Sequence, residues 1–164
     1  MQHGPNLRSS NSIHHSFVIF ANTTKRKVDV FWVDYEGKFV HYMCLKPDDR
    51  IIVNTFSTHP WIFIDSETGE RMHVEHSEIF WPKPSIDASI PLEAQRRTLR
   101  RSTVNIHFPL RTLQDTALWT IVKEMVRNVR EVETWEIPRI LKVQVINLFT
   151  KYEKHRQSME AART

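Results

Sequence analysis

Short runs of strand-forming residues dominate the first half of the chain, and a helical period replaces them in the second half. The runs before Pro82 are rich in Val, Ile, Phe, Trp and Tyr; they are SFVIFAN, VDVFWV, KFVHYMCL, RIIVNTF, WIFID and RMHVEH. Tight turns are expected at Gly37 and Gly69, between consecutive runs. Several short strands at this spacing indicate an antiparallel β-sandwich, to which the later run STVNIHF adds a strand.

After Pro109 the apolar residues recur every three or four positions, as on one face of an α-helix. Thr112 and Asp115 form a capping-box pattern at the start of this helix, and Pro138 is suited to the first position of a second one. Two or three helices cannot bury so broad an apolar stripe among themselves, so we expect a partner surface. The stripe contains Leu113, Ala117, Leu118, Ile121, Val122, Met125, Val126 and Val129.

These patterns predict an α+β fold, with an antiparallel β-sandwich of about seven strands followed by a small C-terminal helical domain. We expect a flexible N-terminus over residues 1–15, the sandwich over residues 16–108 and the helical domain over residues 109–164. A long loop over residues 83–102 contains the basic cluster RRTLRR, Arg96–Arg101. Such a cluster serves as a nuclear address or a phosphate-binding patch, but most often belongs to a solvated loop.

Composition narrows the function classes. The chain has 164 residues, a net charge of +4 and 26% charged residues, which is ordinary for a small globular protein. Because Cys44 is the one cysteine, no internal disulfide can form, and we expect a reducing compartment, the cytoplasm and nucleus. The apolar runs are too short to span a membrane, and the modest positive charge is a weak argument for nucleic acid. We therefore expect neither a membrane nor a nucleic acid as a partner.

The sequence offers little for catalysis, metal binding or a cofactor. It lacks a Gly-x-Ser-x-Gly elbow, a phosphate-binding glycine loop and a His-Glu-x-x-His motif. A triad of Ser57, His59 and Asp65 is conceivable, but nine histidines offer such sets by chance. His73 and His76 would point to opposite faces of a strand, which is poor for chelation. The prediction is a protein without catalytic residues, metal or cofactor.

A cluster of polar and aromatic residues suggests a binding pocket instead. Thr55, His59 and Trp61 share one side of the chain if it stays extended between them. Trp32 and Tyr42 lie near each other on the two strands of the first hairpin. Aromatic walls with a hydroxyl and an imidazole make a small site with an apolar body and few polar contacts. The alternative is that both tryptophans are ordinary core residues.

Five segments carry a family resemblance: VIFANTT, VFWVDYEGKFVHY, TFSTHPWIFID, IFWP and HFPLRTLQDTALWTIV. The first four resemble the β domain of the von Hippel-Lindau tumour suppressor family, and the fifth resembles the start of its α domain. The resemblance runs from about Phe17 to Pro82 and from about Val104 to Met125, and points to an invertebrate member. Members of the family are substrate receptors of a cullin-RING ubiquitin ligase.

The resemblance implies partners and site residues. The β domain is expected to bind a hydroxylated proline of hypoxia-inducible factor alpha, and the α domain to dock on elongin C, paired with elongin B, and on a cullin with its RING subunit. Thr55 stands where the family has a serine, Asn54 replaces a histidine and Phe56 replaces a tyrosine. The implied hydroxyproline pocket consists of Trp32, Tyr42, Asn54, Thr55, His59 and Trp61.

The helical half resembles two docking boxes of the family. Elongin C would contact the residues at a repeated helical spacing, with Ala117 in place of the usual cysteine; these are Thr112, Leu113, Ala117 and Ile121. Cullin would contact Ile137, Pro138 and Leu141. The alternative is that this stripe only packs inside the chain's own small core.

We therefore expect a non-enzymatic adaptor that brings a hydroxyproline-bearing substrate to a ubiquitin ligase. A β-sandwich scaffold for microtubule or cytoskeletal partners is the second reading, and a hydrolase is a distant third.

Overall fold

A computed structural model describes residues 7–85 and 101–161, without the side chains of residues 159–161. The chain forms two compact units. Of the described residues, the first unit contains residues 7–66, 70–85 and 101–109, and the second contains residues 67–69 and 110–161.

The first unit is a sandwich of two β-sheets, which confirms the predicted fold class. Its described residues form seven strands: β1 His15–Asn22, β2 Val28–Val33, β3 Phe39–Leu45, β4 Arg50–Phe56, β5 Trp61–Asp65, β6 Ile79–Phe80 and β7 Ser102–Ile106. One sheet has the strand order β4-β1-β7 and the other β3-β2-β5-β6. The buried apolar core lies on both sheets and includes Val18, Phe20, Val30, Val53, Phe63 and Val104.

One strand pair departs from the antiparallel prediction. Strands β1 and β7 run parallel, with Val18 opposite Ser102 and Asn22 opposite Ile106. A parallel pair needs a long crossover connection, and here the connection between β1 and β7 includes strands β2 to β6.

The strand predicted for RMHVEH is wrong. This run forms only isolated bridges, because Glu75 and His76 adopt positive φ angles of 50° and 65°. They make a tight turn in which Val74 and Ser77 exchange backbone hydrogen bonds of 3.0 and 2.9 Å. The extended chain resumes only at the two-residue strand β6.

Residues 7–15 of the N-terminal segment that was predicted to be flexible, residues 1–15, are described by the structure, while residues 1–6 lie outside the described range. His15 opens β1, and the preceding residues are fixed by backbone hydrogen bonds. The Ser9 nitrogen donates to the Asp34 carbonyl over 2.9 Å, and the Ser10 nitrogen donates to the Thr58 carbonyl over 3.2 Å.

The predicted turn of the first hairpin is confirmed. Gly37 has a φ of 80°, and its nitrogen donates to the Asp34 carbonyl over 3.1 Å. A Cβ atom here would also meet the carbonyl oxygen of Leu7 at 3.1 Å. Both the positive φ and this close approach therefore favour glycine.

The described part of the second unit consists of three helices, α1 Leu113–Glu124, α2 Val129–Glu133 and α3 Arg139–Ala161. The predicted capping box is present, since the Asp115 nitrogen donates to Thr112 Oγ1 over 3.1 Å. Helix α3 begins one residue after Pro138, whose carbonyl accepts its first hydrogen bonds. The helices share a core of Val122, Val126, Val132, Val145 and Phe149. Within residues 7–85 and 101–161, no helix combines the length and apolar character that crossing a bilayer requires.

Candidate functional site

The predicted aromatic and polar cluster surrounds a cavity of about 250 Å³ in the first unit. All six residues predicted for the pocket line this cavity. Val53, which the sequence pattern does not predict, and Phe56, to which it assigns no role, line the cavity as well. The lining residues are Trp32, Tyr42, Val53, Asn54, Thr55, Phe56, His59 and Trp61.

The cavity forms where the chain crosses from one sheet to the other. Strand β4 ends at Phe56 in the first sheet, and β5 begins at Trp61 in the second. A turn separates them, in which the His59 nitrogen donates to the Phe56 carbonyl over 3.1 Å. The condition of an extended chain from Thr55 to Trp61 is therefore not met, and the crossing itself brings these side chains together.

Tyr42 reaches the cavity from a β-bulge. The register of β2 and β3 shifts between Val30 and Phe31, and Tyr42 is the extra residue on β3. A bulge re-aims the side chain it carries. The Tyr42 ring stands nearly perpendicular to the Trp61 indole, at 88° and 5.2 Å between ring centroids, so the two rings form adjoining walls.

Trp61 belongs to the core and to the cavity at once. Its indole packs on Phe20 with ring centroids 5.1 Å apart, and it is only 3% exposed. Its Nε1 donates a hydrogen bond to Thr55 Oγ1 over 3.1 Å. That bond occupies one lone pair of the Thr55 hydroxyl and leaves its O–H as a donor.

His59 is the second polar group of the cavity wall, and it is 8% exposed. Its imidazole lies among the rings of Trp32, Tyr35 and Phe56, at centroid distances of 5.5, 5.6 and 5.1 Å. Burial lowers the pKa of His59, while a hydrogen bond to the Ser10 carbonyl acts in the opposite direction. A neutral imidazole offers one donor and one acceptor.

Asn54 lies at the rim, and a residue of the basic cluster fixes its amide. Arg101 Nη1 donates to Asn54 Oδ1 over 2.8 Å, and the guanidinium lies 5.5 Å from the centroid of the Phe17 ring. One lone pair of the amide oxygen is thus engaged, and the amide nitrogen has two N–H donors with which it could bind a ligand. Residues 96–100 of the cluster lie outside the described range.

Comparison with known proteins identifies the family. Residues 7–88 match the family model described as the VHL beta domain. The chain is 39% identical over 146 residues to "Protein Vhl" of Drosophila melanogaster, covering 85% of this chain and 80% of that protein. The chain belongs to the von Hippel-Lindau (VHL) family. This confirms the resemblance to an invertebrate member, and the matched segment contains every residue that lines the cavity.

In this VHL-family chain, the predicted elongin C residues divide between two environments. Leu113 is 88% exposed, and Ala117 is exposed one turn further along α1. Ile121 is half-buried and packs against the helical core, while Thr112 serves as the N-cap of α1. An outward-facing part of the stripe therefore exists, beside a part that packs internally.

The residues predicted to bind cullin lie at the start of α3. Pro138 is exposed, whereas Ile137 and Leu141 are half-buried. Ile140 and Val143, which the sequence does not single out, are 70% and 49% exposed on the same helix. Both fall between the apolar residues that recur at helical spacing in this segment, Ile137, Leu141 and Val145, and this placement was the available signal.

Proposed function

We propose that this chain is the substrate-recognition subunit of an elongin BC–cullin–RING ubiquitin ligase, in the cytoplasm and nucleus. Its cavity would bind 4-hydroxyproline in hypoxia-inducible factor alpha and so direct that protein to ubiquitination and degradation. The observation that carries the proposal is a cavity with aromatic walls and two hydrogen-bonding side chains, Thr55 and His59. The chain itself supplies recognition and no catalysis.

The cavity favours a hydroxylated proline for a physical reason. The perpendicular rings of Tyr42 and Trp61 suit the flat faces of a pyrrolidine ring. Thr55 and His59 are 4% and 8% exposed, so few water molecules can satisfy them beneath a bound ring. Without a ligand hydroxyl, each would lose ~1–3 kcal/mol in unpaired hydrogen bonds, and such sites reject the analogue lacking the group.

The surrounding strands suit an extended peptide. Strands β3 and β4 are the edge strands of their two sheets, and they carry Tyr42 and Thr55 respectively. Edge strands present unpaired backbone groups, with which an extended peptide can pair. The Asn54 amide nitrogen would then meet a peptide carbonyl.

The exposed apolar side chains of the helical unit support the docking part of the proposal. Leu113 and Ala117 would contact elongin C, with Thr112 capping their helix and Ile121 supporting it from the core. Cullin would contact Pro138 together with Ile137 and Leu141. The exposed Ile140 and Val143 extend this second surface.

The competing functions lose support. A scaffold whose tryptophans only fill the core would have no use for a hollow beside Trp61. A hydrolase triad would need Asp65 beside His59. Instead Asp65 ends β5 and forms an ion pair with Arg26 over 3.5 Å. In the described part of the chain, no three His, Cys, Asp or Glu side chains group to hold a metal ion.

Reconstituted ubiquitin transfer tests the proposal. The chain would be assembled with elongins B and C, cullin, the RING subunit and the ubiquitin-charging enzymes. The substrate would be a hypoxia-inducible factor segment with proline or 4-hydroxyproline at one position. We expect ubiquitin chains only on the hydroxylated segment. Equal modification of both segments, or of neither by an assembled complex, would contradict the proposal.

A further inference from the structure

A buried serine supports the Trp32 wall of the cavity from behind. Ser9 is not one of the lining residues, yet it is only 3% exposed. Its Oγ accepts a 2.8 Å hydrogen bond from Trp32 Nε1 and donates a 2.5 Å hydrogen bond to the Val33 carbonyl. One hydroxyl therefore binds the last two residues of β2.

The chemistry of the three groups fixes the direction of both bonds. An indole nitrogen can only donate, a carbonyl oxygen can only accept, and a hydroxyl has one proton to donate and lone pairs with which to accept. Trp32 must therefore donate to Ser9, and Ser9 must donate to Val33. No other placement of the protons satisfies both contacts.

Further hydrogen bonds hold the segment around Ser9 in this place. The Ser9 nitrogen donates to the Asp34 carbonyl over 2.9 Å, and the nitrogen of the next residue donates to the Thr58 carbonyl over 3.2 Å. Thr58 Oγ1 also donates to the Asn11 carbonyl over 2.9 Å. Because the segment is bonded to the turns that follow β2 and β4, the Ser9 hydroxyl has a defined position.

The bond to Ser9 determines which part of Trp32 a ligand would meet. Trp32 is half-buried, and its indole packs against the rings of Tyr35 and His59 at centroid distances of 5.8 and 5.5 Å. A tryptophan side chain has two rotatable bonds, and a hydrogen bond at the indole nitrogen restricts both. Because its N–H is engaged by Ser9, the indole offers the cavity an apolar wall.

We propose that Ser9 is a positioning residue that fixes the Trp32 indole as an apolar wall of the hydroxyproline site before the ligand binds. The inference rests on the proposed function and deepens it, because it names a residue outside the cavity that preorganises the site. Without the Ser9 hydroxyl, the Trp32 N–H would lack its acceptor, which is unfavourable for a buried donor. The indole would rotate towards another acceptor, and ligand binding would have to restore the wall.

Nuclear magnetic resonance of the indole N–H groups in the full chain follows this bond directly, and Trp32→Phe identifies the Trp32 signal. In Ser9→Ala we expect the Trp32 indole proton to move upfield and to exchange faster with solvent. The affinity for a 4-hydroxyproline peptide should fall by roughly three- to tenfold, the contribution of one hydrogen bond between uncharged groups. An unchanged indole signal, or an unchanged affinity, would overturn the inference.

A double-mutant cycle separates positioning through Trp32 from a general effect on the fold. The Trp32→Phe chain has no indole N–H for Ser9 to bind. Ser9→Ala should therefore cause no further loss of affinity for the hydroxylated peptide in that chain. An equal loss in the two backgrounds would overturn the inference.

The matched control is Thr24→Val, which removes another buried hydroxyl of the first unit. Thr24 is also 3% exposed, and its Oγ1 donates to Asn22 Oδ1 over 2.8 Å, away from the residues that line the cavity. Thermal unfolding should show that both variants lose stability. Only Ser9→Ala should alter the Trp32 signal and the peptide affinity, and the same changes in the control would overturn the inference.

A second variant serves if Ser9→Ala does not fold. Ser9→Cys nearly keeps the size of the side chain but replaces the hydroxyl by a thiol, which is a weak donor and acceptor. It should change the indole signal and the affinity in the same direction, and no change in either would overturn the inference. An unaltered chain without any preference for the hydroxylated peptide would instead overturn the proposed function, whereas the indole signal reports on the Ser9 contact by itself.

Discussion

The indole nitrogen of Trp61 donates a hydrogen bond to Thr55 Oγ1 over 3.1 Å, although the two residues lie on strands of different sheets. Both side chains are nearly inaccessible to solvent, at 3% and 4% exposure. The bond joins the two halves of the sandwich at the cavity and fixes the direction of the Thr55 hydroxyl. The proposed recognition and the stability of the fold therefore involve the same contact.

A substitution at Thr55 can test the contribution of its hydroxyl while the volume of the side chain is kept. Thr55→Val keeps the volume but leaves the Trp61 N–H without its acceptor. We expect a loss of ~1–3 kcal/mol in the free energy of unfolding and at least about a tenfold loss of affinity for a hydroxyproline peptide. Denaturant unfolding and calorimetric titration measure the two effects.

Thr55→Ser is the matched control, because serine keeps the hydroxyl and loses only a methyl group. We expect it to retain the hydroxyproline preference. A valine variant that binds the hydroxylated peptide as well as the serine variant does would contradict the role given to this hydroxyl.

Arg101→Ala should loosen the Asn54 amide without unfolding the sandwich. Since Arg101 is exposed, the free energy of unfolding should change by no more than about 0.5 kcal/mol. Peptide affinity should fall by roughly three- to tenfold, as for the loss of a charge-assisted hydrogen bond. Arg101→Lys keeps the charge without the planar fork and should recover only part of this affinity. Full recovery would show that charge alone matters.

Strand runs and helix caps were predictable because their signals are local. The segment RIIVNTF became β4, WIFID became β5, and Thr112 with Asp115 capped α1. The RMHVEH run failed because Glu75 and His76 take positive φ angles, for which the sequence lacks the usual glycine. Local patterns therefore predict elements well except where a turn uses uncommon residues.

The sequence predicted the aromatic residues that line the cavity, but it did not predict the residues that hold His59 and Asn54 in place. Two side chains that support the cavity contact residues distant in sequence. Ser12 contacts His59 and Arg101 contacts Asn54, and the members of each pair are 47 residues apart. Such pairs leave no periodic pattern in a single sequence. A serine-rich N-terminal segment looks like a solvated tail until the groups it binds are placed.

Acidification should weaken both folding and recognition through His59. Burial lowers the pKa of His59 below its ordinary value of 6.5, so the unfolded chain binds the proton more readily than the folded chain does. The free energy of unfolding should therefore decrease as the pH falls through 6.5 towards the lower pKa of the folded chain. Hydroxyproline binding should weaken once the folded imidazole is protonated, because a cationic ring has no acceptor.

His59→Gln, which cannot titrate, should show a smaller loss of stability on acidification than the unaltered chain. The pKa of His73 is also lowered by burial, but His73 is present in both chains, so the difference between them reports on His59. Denaturant unfolding at several pH values makes this comparison. Identical pH dependence in the two chains would contradict the assignment.

Leu113→Asp should disrupt docking and leave the helix intact. Leu113 is 88% exposed at the first position of α1, where a carboxylate interacts favourably with the helix dipole. We expect unchanged helical content by circular dichroism and a loss of elongin C capture on co-expression. Val122→Ala is the opposite case, since Val122 is 1% exposed and its truncation should cost on the order of 2 kcal/mol of stability. Retained capture by Leu113→Asp would place the elongin C surface elsewhere.

The most direct test of the central claim is the affinity of the chain, co-expressed with elongins B and C, for a matched pair of peptides. Both carry a hypoxia-inducible factor degradation segment, one with proline and the other with 4-hydroxyproline. We predict a strong preference for the hydroxylated peptide that His59→Ala abolishes. Equal binding of both peptides, or binding of neither by a correctly folded complex, would contradict the account.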